Sequence, residues 1–243
     1  MATADRIISS PPIRLPRTEA RIPRRFKTQL VLLLAAAAIV APGLVVVGGR
    51  DGSSTWQHTF DATNGPHVVV SGLPGTDLRP LTRLPGLSES SGPFPGLQAS
   101  LRHDGREAGV WLEGRSRATS IVDHPLIVSG TWVRPGGVVL DQSLANQLGA
   151  RAGDRLAVGD TSVRVAGIAQ TSASGRYGSP REGLAYALPA TLRKVVPDAT
   201  TFGSTLMLRL SDADRSGDYA AWIEARYPSA QVTVGDWKSL RSE

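Results

Sequence analysis

The chain contains no cysteine, which excludes disulfide frameworks, thiolate zinc sites and cysteine nucleophiles. Histidine is almost as scarce: His58, His67, His103 and His124 fall singly, with no H-E-x-x-H or paired spacing to suggest a metal. No G-x-S-x-G marks a serine nucleophile, and no Walker A loop is present to cradle a nucleotide phosphate, so this chain does not itself draw work from ATP. A one-signed charged face is also missing. The net +6 is concentrated before residue 30, where seven basic residues stand against Asp5 and Glu19, leaving 20 basic and 19 acidic residues in the remainder. A neutral body with a basic arm is not the footprint of a nucleic-acid-binding domain.

The basic arm is followed at once by "LVLLLAAAAIVAPGLVVV". Leu30–Val47 has no charge and no strong hydrogen-bonding side chain. As a helix these residues rise roughly 27 Å, close to the thickness of a bilayer's hydrocarbon core. Basic residues before the run and few after it place the N-terminus in the cytoplasm and the rest outside. The run is longer than a usual signal-peptide core, and neither "APG" nor "VGG" matches an A-x-A cleavage site. The expectation is a basic cytoplasmic tail over 1–28 and one transmembrane helix over 29–49, both in contact with the lipid bilayer.

Beyond the anchor, "TWQHTFDATNGPHVVVSG" begins with an amphipathic piece and turns at Asn64-Gly65-Pro66 into a β-branched strand. "GTDLRPLTRLPGL" carries a helical pattern through Leu78, Leu81 and Leu84, and "SESSGPFPG" reads as a loop. Leu97–His103 and Ala108–Glu113 are strands joined at Asp104-Gly105, a strong hairpin signal. Near the C-terminus Ser204–Leu210 is a strand. "SDADRSGDYAAWIEARYP" is a helix capped by Ser211 or Asp212, with Tyr219, Trp222, Ile223 and Tyr227 on one buried face, and "AQVTV" is a strand. Each half resembles part of a split βαβ unit.

Between the halves lies "GGVVLDQSLANQLGARAGDRLAVGDTSVRVAGIA". Val138–Leu140 forms a strand and Asp141 caps a short helix buried through Leu144, Ala145 and Leu148. Gly149 supplies the left-handed stop, and Gly159-Asp160 closes a hairpin whose buried face is Leu156, Val158, Val163 and Val165. With Trp132, Pro135-Gly136, Asp141, Ser143-Leu144-Ala145, Leu148-Gly149, Gly153-Asp154 and Val165–Ile168, this stretch resembles the extracytoplasmic domain of FtsX/MacB-like ABC transporter permeases. "WQHTFDATNGPHVVV" and "VTVGDWKSLRSE" are similar to the opening and exit of that domain, so the resemblance covers about residues 28–243.

The expected fold is α+β: one N-terminal transmembrane helix, then a ferredoxin-like split βαβ domain interrupted by a small mostly-β subdomain. Residues 50–129 and 196–243 form the porter-type subdomain and 130–195 the insertion, with a hinge near 130 and 190–200. The resemblance implies a separate ABC ATPase subunit, motion relayed for export or partner activation, an extracytoplasmic protein partner and a homodimer, with no cofactor and no nucleic acid. It also implies a second membrane helix beginning where the sequence stops at Glu243, which suggests a truncated or split permease. The alternative is a stand-alone, single-pass binding or adaptor protein. No residue is assigned to catalysis, cofactor or metal. A hydrolase built on a double-psi barrel and using Asp154 and His124 is the weakest reading, since Asp123-His124 in "VDHPL" is explained by a turn before Pro125. The Ser174–Gly183 loop, with Arg176, Tyr177 and Arg181, could hold a phosphate or carboxylate but reads more simply as a loop tip. Trp132 and Trp222 read as core or junction residues, and Trp56 and Trp237 as anchors near the two membrane-proximal ends.

Overall fold

A computed structural model describes residues 52–172, 183–196, 202–227 and 231–241. Among them no helix is long and apolar enough to cross a membrane; the predicted span Leu30–Val47 and the basic tail lie outside the described residues, as do 174–182 of the arginine-bearing loop. In chain order the elements are α1 (Gly52–Ala62), β1 (Val68–Gly72), a 3-10 turn (Arg79–Arg83), β2 (Leu87–His103), β3 (Arg106–Gly114), β4 (Leu126–Gly130) and β5 (Gly137–Asp141). These are followed by α2 (Gln142–Leu148), β6 (Arg155–Val158), β7 (Thr161–Gln170), β8 (Gly183–Ala187) and α3 (Pro189–Val195). The chain then continues through β9 (Gly203–Leu210), a second 3-10 turn (Ala213–Arg215), α4 (Ser216–Arg226), β10 (Val232–Asp236) and α5 (Trp237–Arg241).

The strands form one mixed sheet in the order β10-β1-β9-β2-β3-β8-β5-β7-β4, with β6 bridging β2 and β7. At one end β10, β1, β9 and the first half of β2 pair antiparallel throughout. Thus β1 and β2 run parallel with β9 between them, a split arrangement of the kind expected from the sequence. At the other end a ring closes. The second half of β2 pairs β3, β3 runs parallel to β8, β8 pairs β5, and β5 runs parallel to β7. β7 pairs β6, and β6 returns to β2 through Leu101↔Val158 and Arg102↔Ala157. Closure leaves these strands no free edge along the ring.

The barrel interior follows from alternation. Leu97 and Leu101, Val110 and Leu112, Val138 and Leu140, Leu156 and Val158, and Val163 and Val165 all belong to one buried cluster, to which α2 adds Leu144, Ala145 and Leu148 and α3 adds Leu192. A second cluster lies on the outer side of the ring, where Val139, Leu184 and Tyr186 meet Val69 and Met207 of the four-stranded section and Val122 and Val133 of the 115–133 segment. A third, with Val68, Val70, Leu206, Leu208 and Ile223, packs α4 and the first 3-10 turn on the opposite face.

Several expectations change. "SESSGPFPG" is strand rather than loop: it is part of β2, paired with β9 across register shifts at Leu87/Glu89 and Ser91/Phe94. Those bulges accommodate the glycine and prolines that argue for a loop. The pattern at Leu78, Leu81 and Leu84 yields only a 3-10 turn, with Leu78 and Leu81 buried. Trp222 leaves the core and is 45% exposed, whereas Ile223 is fully buried; neighbours on a helix point about 100° apart, so the two cannot share a narrow face. The barrel draws on residues on both sides of position 130, since β2 and β3 complete it with β5–β8. The chain from Arg50 to Glu243 is a single compact unit.

Candidate functional site at the paired ends of the domain

Helix α1 carries Trp56 and Phe60, and the chain turns at Asn64-Gly65 before His67 leads into β1. A side chain at Gly65 would collide with the Phe60 ring, so glycine is needed for the helix to fold back this closely. β1 pairs with β10 in the register Val68↔Asp236, and the Trp237 amide donates to the His67 carbonyl at 3.0 Å. Phe60, 3% exposed, stacks on Trp56 with centroids 4.9 Å apart and lies 5.8 Å from the Trp237 ring and 6.0 Å from His67. The first and last described helices therefore meet in one aromatic cluster. Trp56 and Trp237, expected near the two ends, are brought together through Phe60.

Two polar contacts hold this cluster. The Arg209 guanidinium lies 5.8 Å from the Phe60 ring centroid and donates to the Gly65 carbonyl. His67 Nδ1 accepts from the Leu210 amide at 3.0 Å, which leaves the ring proton of the neutral form on Nε2. Burial, reinforced by the Arg209 charge, holds the His67 pKa below 6.5.

From α1 a chain of hydrogen bonds runs into the barrel. The Asn64 carbonyl accepts from the Asp123 amide at 3.0 Å, and the Thr63 carbonyl from the His124 amide at 2.9 Å. Thr63 Oγ1 donates to Ser172 Oγ at 3.2 Å, and Gln170 Nε2 donates to Thr59 Oγ1 at 2.9 Å. Asp123 also belongs to a buried ionic centre. Arg115, 1% exposed, pairs through Nε with Glu113 and through Nη2 with Asp123 Oδ2 at 2.9 Å, and its Nη1 donates to Ser120 Oγ at 2.7 Å. Its guanidinium lies 3.9 Å above the Phe94 ring and 5.3 Å from Tyr186. Thr171 Oγ1 donates to the other Asp123 oxygen at 3.0 Å. Burial, followed by the nearby Asp123 charge, raises the Tyr186 pKa well above 10.0. Asp123 itself has φ +52, a backbone conformation aspartate tolerates better than bulkier residues.

The remaining sequence candidates fall elsewhere. Asp154 accepts from the Arg151 amide at 2.8 Å and lies 3.4 Å from His103 Nε2, the arrangement of a turn stitched to β2. His124 contributes its backbone to Thr63, and Asp123 is committed to Arg115, so "VDHPL" is a structural corner. Among the described residues no group of three or more His, Asp or Glu could hold a metal. Asp141 performs its expected role: Oδ1 accepts from the Ser143 amide at 2.7 Å, and Oδ2 also accepts from the Leu184 amide of β8 at 3.2 Å. Trp132 packs on Tyr186 at 5.3 Å and donates to the Ser116 carbonyl, so it does sit at a junction.

No family model matches the chain, and no curated protein matches it. Among solved structures, the chain is similar to the extracellular domain of the noncanonic ABC-type transporter YknZ from Gram-positive bacteria, at 11% identity and a TM-score of 0.40, covering 70% of this chain and 100% of that one. It is also similar to the periplasmic region of MacB from Actinobacillus actinomycetemcomitans, at 9% identity and a TM-score of 0.43, covering 77% of this chain and 96% of that one.

Proposed function

We propose that the chain is the membrane anchor and extracytoplasmic domain of an ABC transporter permease of the FtsX/MacB type. Its role is mechanical rather than catalytic: it relays motion driven by a separate ATPase subunit into export or into activation of an outside partner. The observation that carries this reading is the meeting of α1 and α5 at Phe60, with Trp237 bonded to His67. A domain inserted between two membrane helices needs its ends side by side, whereas a domain tethered at one end has no such requirement. The motif order from Trp132 to Ile168 supports the same reading. Displacement of α1 would reach the barrel through Thr63 and Asn64, the 115–125 loop and the Arg115 ion pairs. The span Leu30–Val47 supplies the anchor, with the basic arm in the cytoplasm.

The natural absence of cysteine makes the test direct. Asp160→Cys, on an exposed turn, is expected to react with a membrane-impermeant maleimide in intact cells, and Ser10→Cys only after the membrane is opened. The affinity-tagged full chain, taken from its own cells, is expected to bring with it an ATPase bearing a Walker A motif. Reversed labelling overturns the orientation. Correct labelling with no ATPase overturns the permease reading in favour of a membrane-anchored adaptor.

A further inference from the structure

On α4 the exposed Trp222 opens onto a cleft of about 480 Å³ lined by Leu84, Pro85, Arg215, Asp218, Tyr219 and Trp222. One contact ties its two sides together. The Tyr219 hydroxyl donates to the Pro85 carbonyl, and Gly86, at φ +82, leaves the room this requires, since a Cβ there would collide with that hydroxyl. The Arg215 guanidinium lies 5.7 Å from the Tyr219 ring, and that of Arg226 lies 5.5 Å from Trp222. Arg215 Nε and Asp218 Oδ2 stand 3.7 Å apart at the rim, both largely exposed.

We propose that this cleft binds a neutral saccharide, with one pyranose ring lying its C–H face on Trp222 and its hydroxyls against Asp218 and Arg215. The choice of ligand follows from the chemistry of the lining. An indole face with apolar walls suits a flat, weakly polar surface, and the volume lies in the range of small-ligand clefts. A purely apolar ligand would strip water from Arg215 and Asp218 without replacing it. Arg215 and Asp218 offset one another at the rim, so that pair favours neither sign of ion; Arg226 adds one cation beside Trp222, and the acidic sugar in the test reads whether that cation decides the ligand. A sugar hydroxyl both donates and accepts, so it can satisfy the carboxylate and the guanidinium together. The proposal does not depend on the presence of an ATPase.

The test uses the full-length chain in a detergent without a sugar headgroup. Saturation-transfer NMR and calorimetry are run with cellotetraose, chitotetraose and maltotetraose, against an acidic tetragalacturonate and a proline-rich decapeptide. At least one neutral tetrasaccharide is expected to bind, with saturation strongest on ring C–H protons. Trp222→Ala is expected to weaken that binding about tenfold, and Asp218→Asn about threefold, with the thermal midpoint of each variant unchanged. Both side chains are exposed, so loss of binding is separable from loss of fold. The proposal is overturned if no neutral sugar binds at millimolar concentration, if Trp222→Ala binds as well as the parent, or if the acidic sugar or the peptide is preferred.

Discussion

Replacing Arg115 with methionine removes the cation that pairs with both Glu113 and Asp123, and both carboxylates are fully buried. Methionine fills much of the space above Phe94 but offers no charge and no donor. Breaking a buried ion pair from one side costs about 3–5 kcal/mol, because the abandoned charge has no water to return to. At about 2–4 °C per kcal/mol for a domain of this size, the thermal midpoint of Arg115→Met is expected to fall by roughly 6–20 °C. The assay is a melt of the full chain followed by tryptophan emission, since Trp132 packs on Tyr186 beside the ion pairs. A second variant isolates the cause. Adding Glu113→Gln and Asp123→Asn to Arg115→Met removes both carboxylate charges, and asparagine tolerates the positive φ at 123. This triple variant is expected to melt above Arg115→Met despite carrying more substitutions, a non-additivity that only coupled sites show. An Arg115→Met midpoint within about 2 °C of the parent would refute the argument, because no dry ion pair could be lost so cheaply.

Two further outcomes follow from contacts already described. The folded pKa of His67 is depressed below 6.5, so the unfolded chain takes up the proton more readily. The contribution of His67 to stability is therefore complete above pH 6.5 and is lost as pH falls through the folded pKa, with a slope of at most about 1.4 kcal/mol per pH unit. His67→Asn, which keeps an acceptor for the Leu210 amide, is expected to flatten this part of the pH profile, and superimposable profiles for parent and variant would dismiss it. Asp141→Ala removes the cap of α2 and the acceptor for the Leu184 amide. Denaturant titration is expected to show a loss of about 2–3 kcal/mol, more than a cap alone contributes, with Asp141→Asn recovering most of the cap. A loss confined to a few tenths of a kcal/mol would show that the bond to β8 contributes nothing.

Local chemistry was readable in the sequence where a residue type has one physical use. Asp104 and Gly105, both at positive φ, close the β2–β3 hairpin, Gly149 ends α2 in the left-handed region, and Asp141 caps it. The non-local pairings had no such signal. β8 is "GLAYA", poor in β-branched residues, and becomes a strand because β3 and β5 flank it and bury every side chain. The parallel pairs β3–β8 and β5–β7 leave no mark on periodicity, so the part that β2 and β3 play in closing the ring was hidden even though many of its inward residues were visible. The ion pairs were hidden for a related reason. In "VWLEGR" the alternation turns Val110 and Leu112 inward and Glu113 outward, which normally means toward water. Here the outer face is roofed by the 115–133 segment, and the charge is sealed in rather than solvated. Of the candidate site, Trp56 and Trp237 were legible as end residues, but their union through Phe60 depends on β1 and β10 being neighbours.

The shared strand bears on how such a domain could move. A hinge near residue 130 requires the four-stranded section and the barrel to separate, yet the 17 residues of β2 run through both. At Gly96 this strand pairs with Gly203 of β9 on one edge and Glu113 of β3 on the other, so bending there breaks ladder bonds on both sides. Each such bond is worth about 0.5–1.5 kcal/mol net, and the apolar cluster joining Val69 and Met207 to Val139, Leu184 and Tyr186 would open as well. Those costs compound over several residues, whereas tilting the body as a unit breaks none of these contacts. On the proposed mechanical role, force arriving at α1 would meet the barrel through backbone hydrogen bonds to the 115–125 loop and buried ion pairs. The physical expectation is therefore a body that moves as one unit rather than two lobes that bend about residue 130.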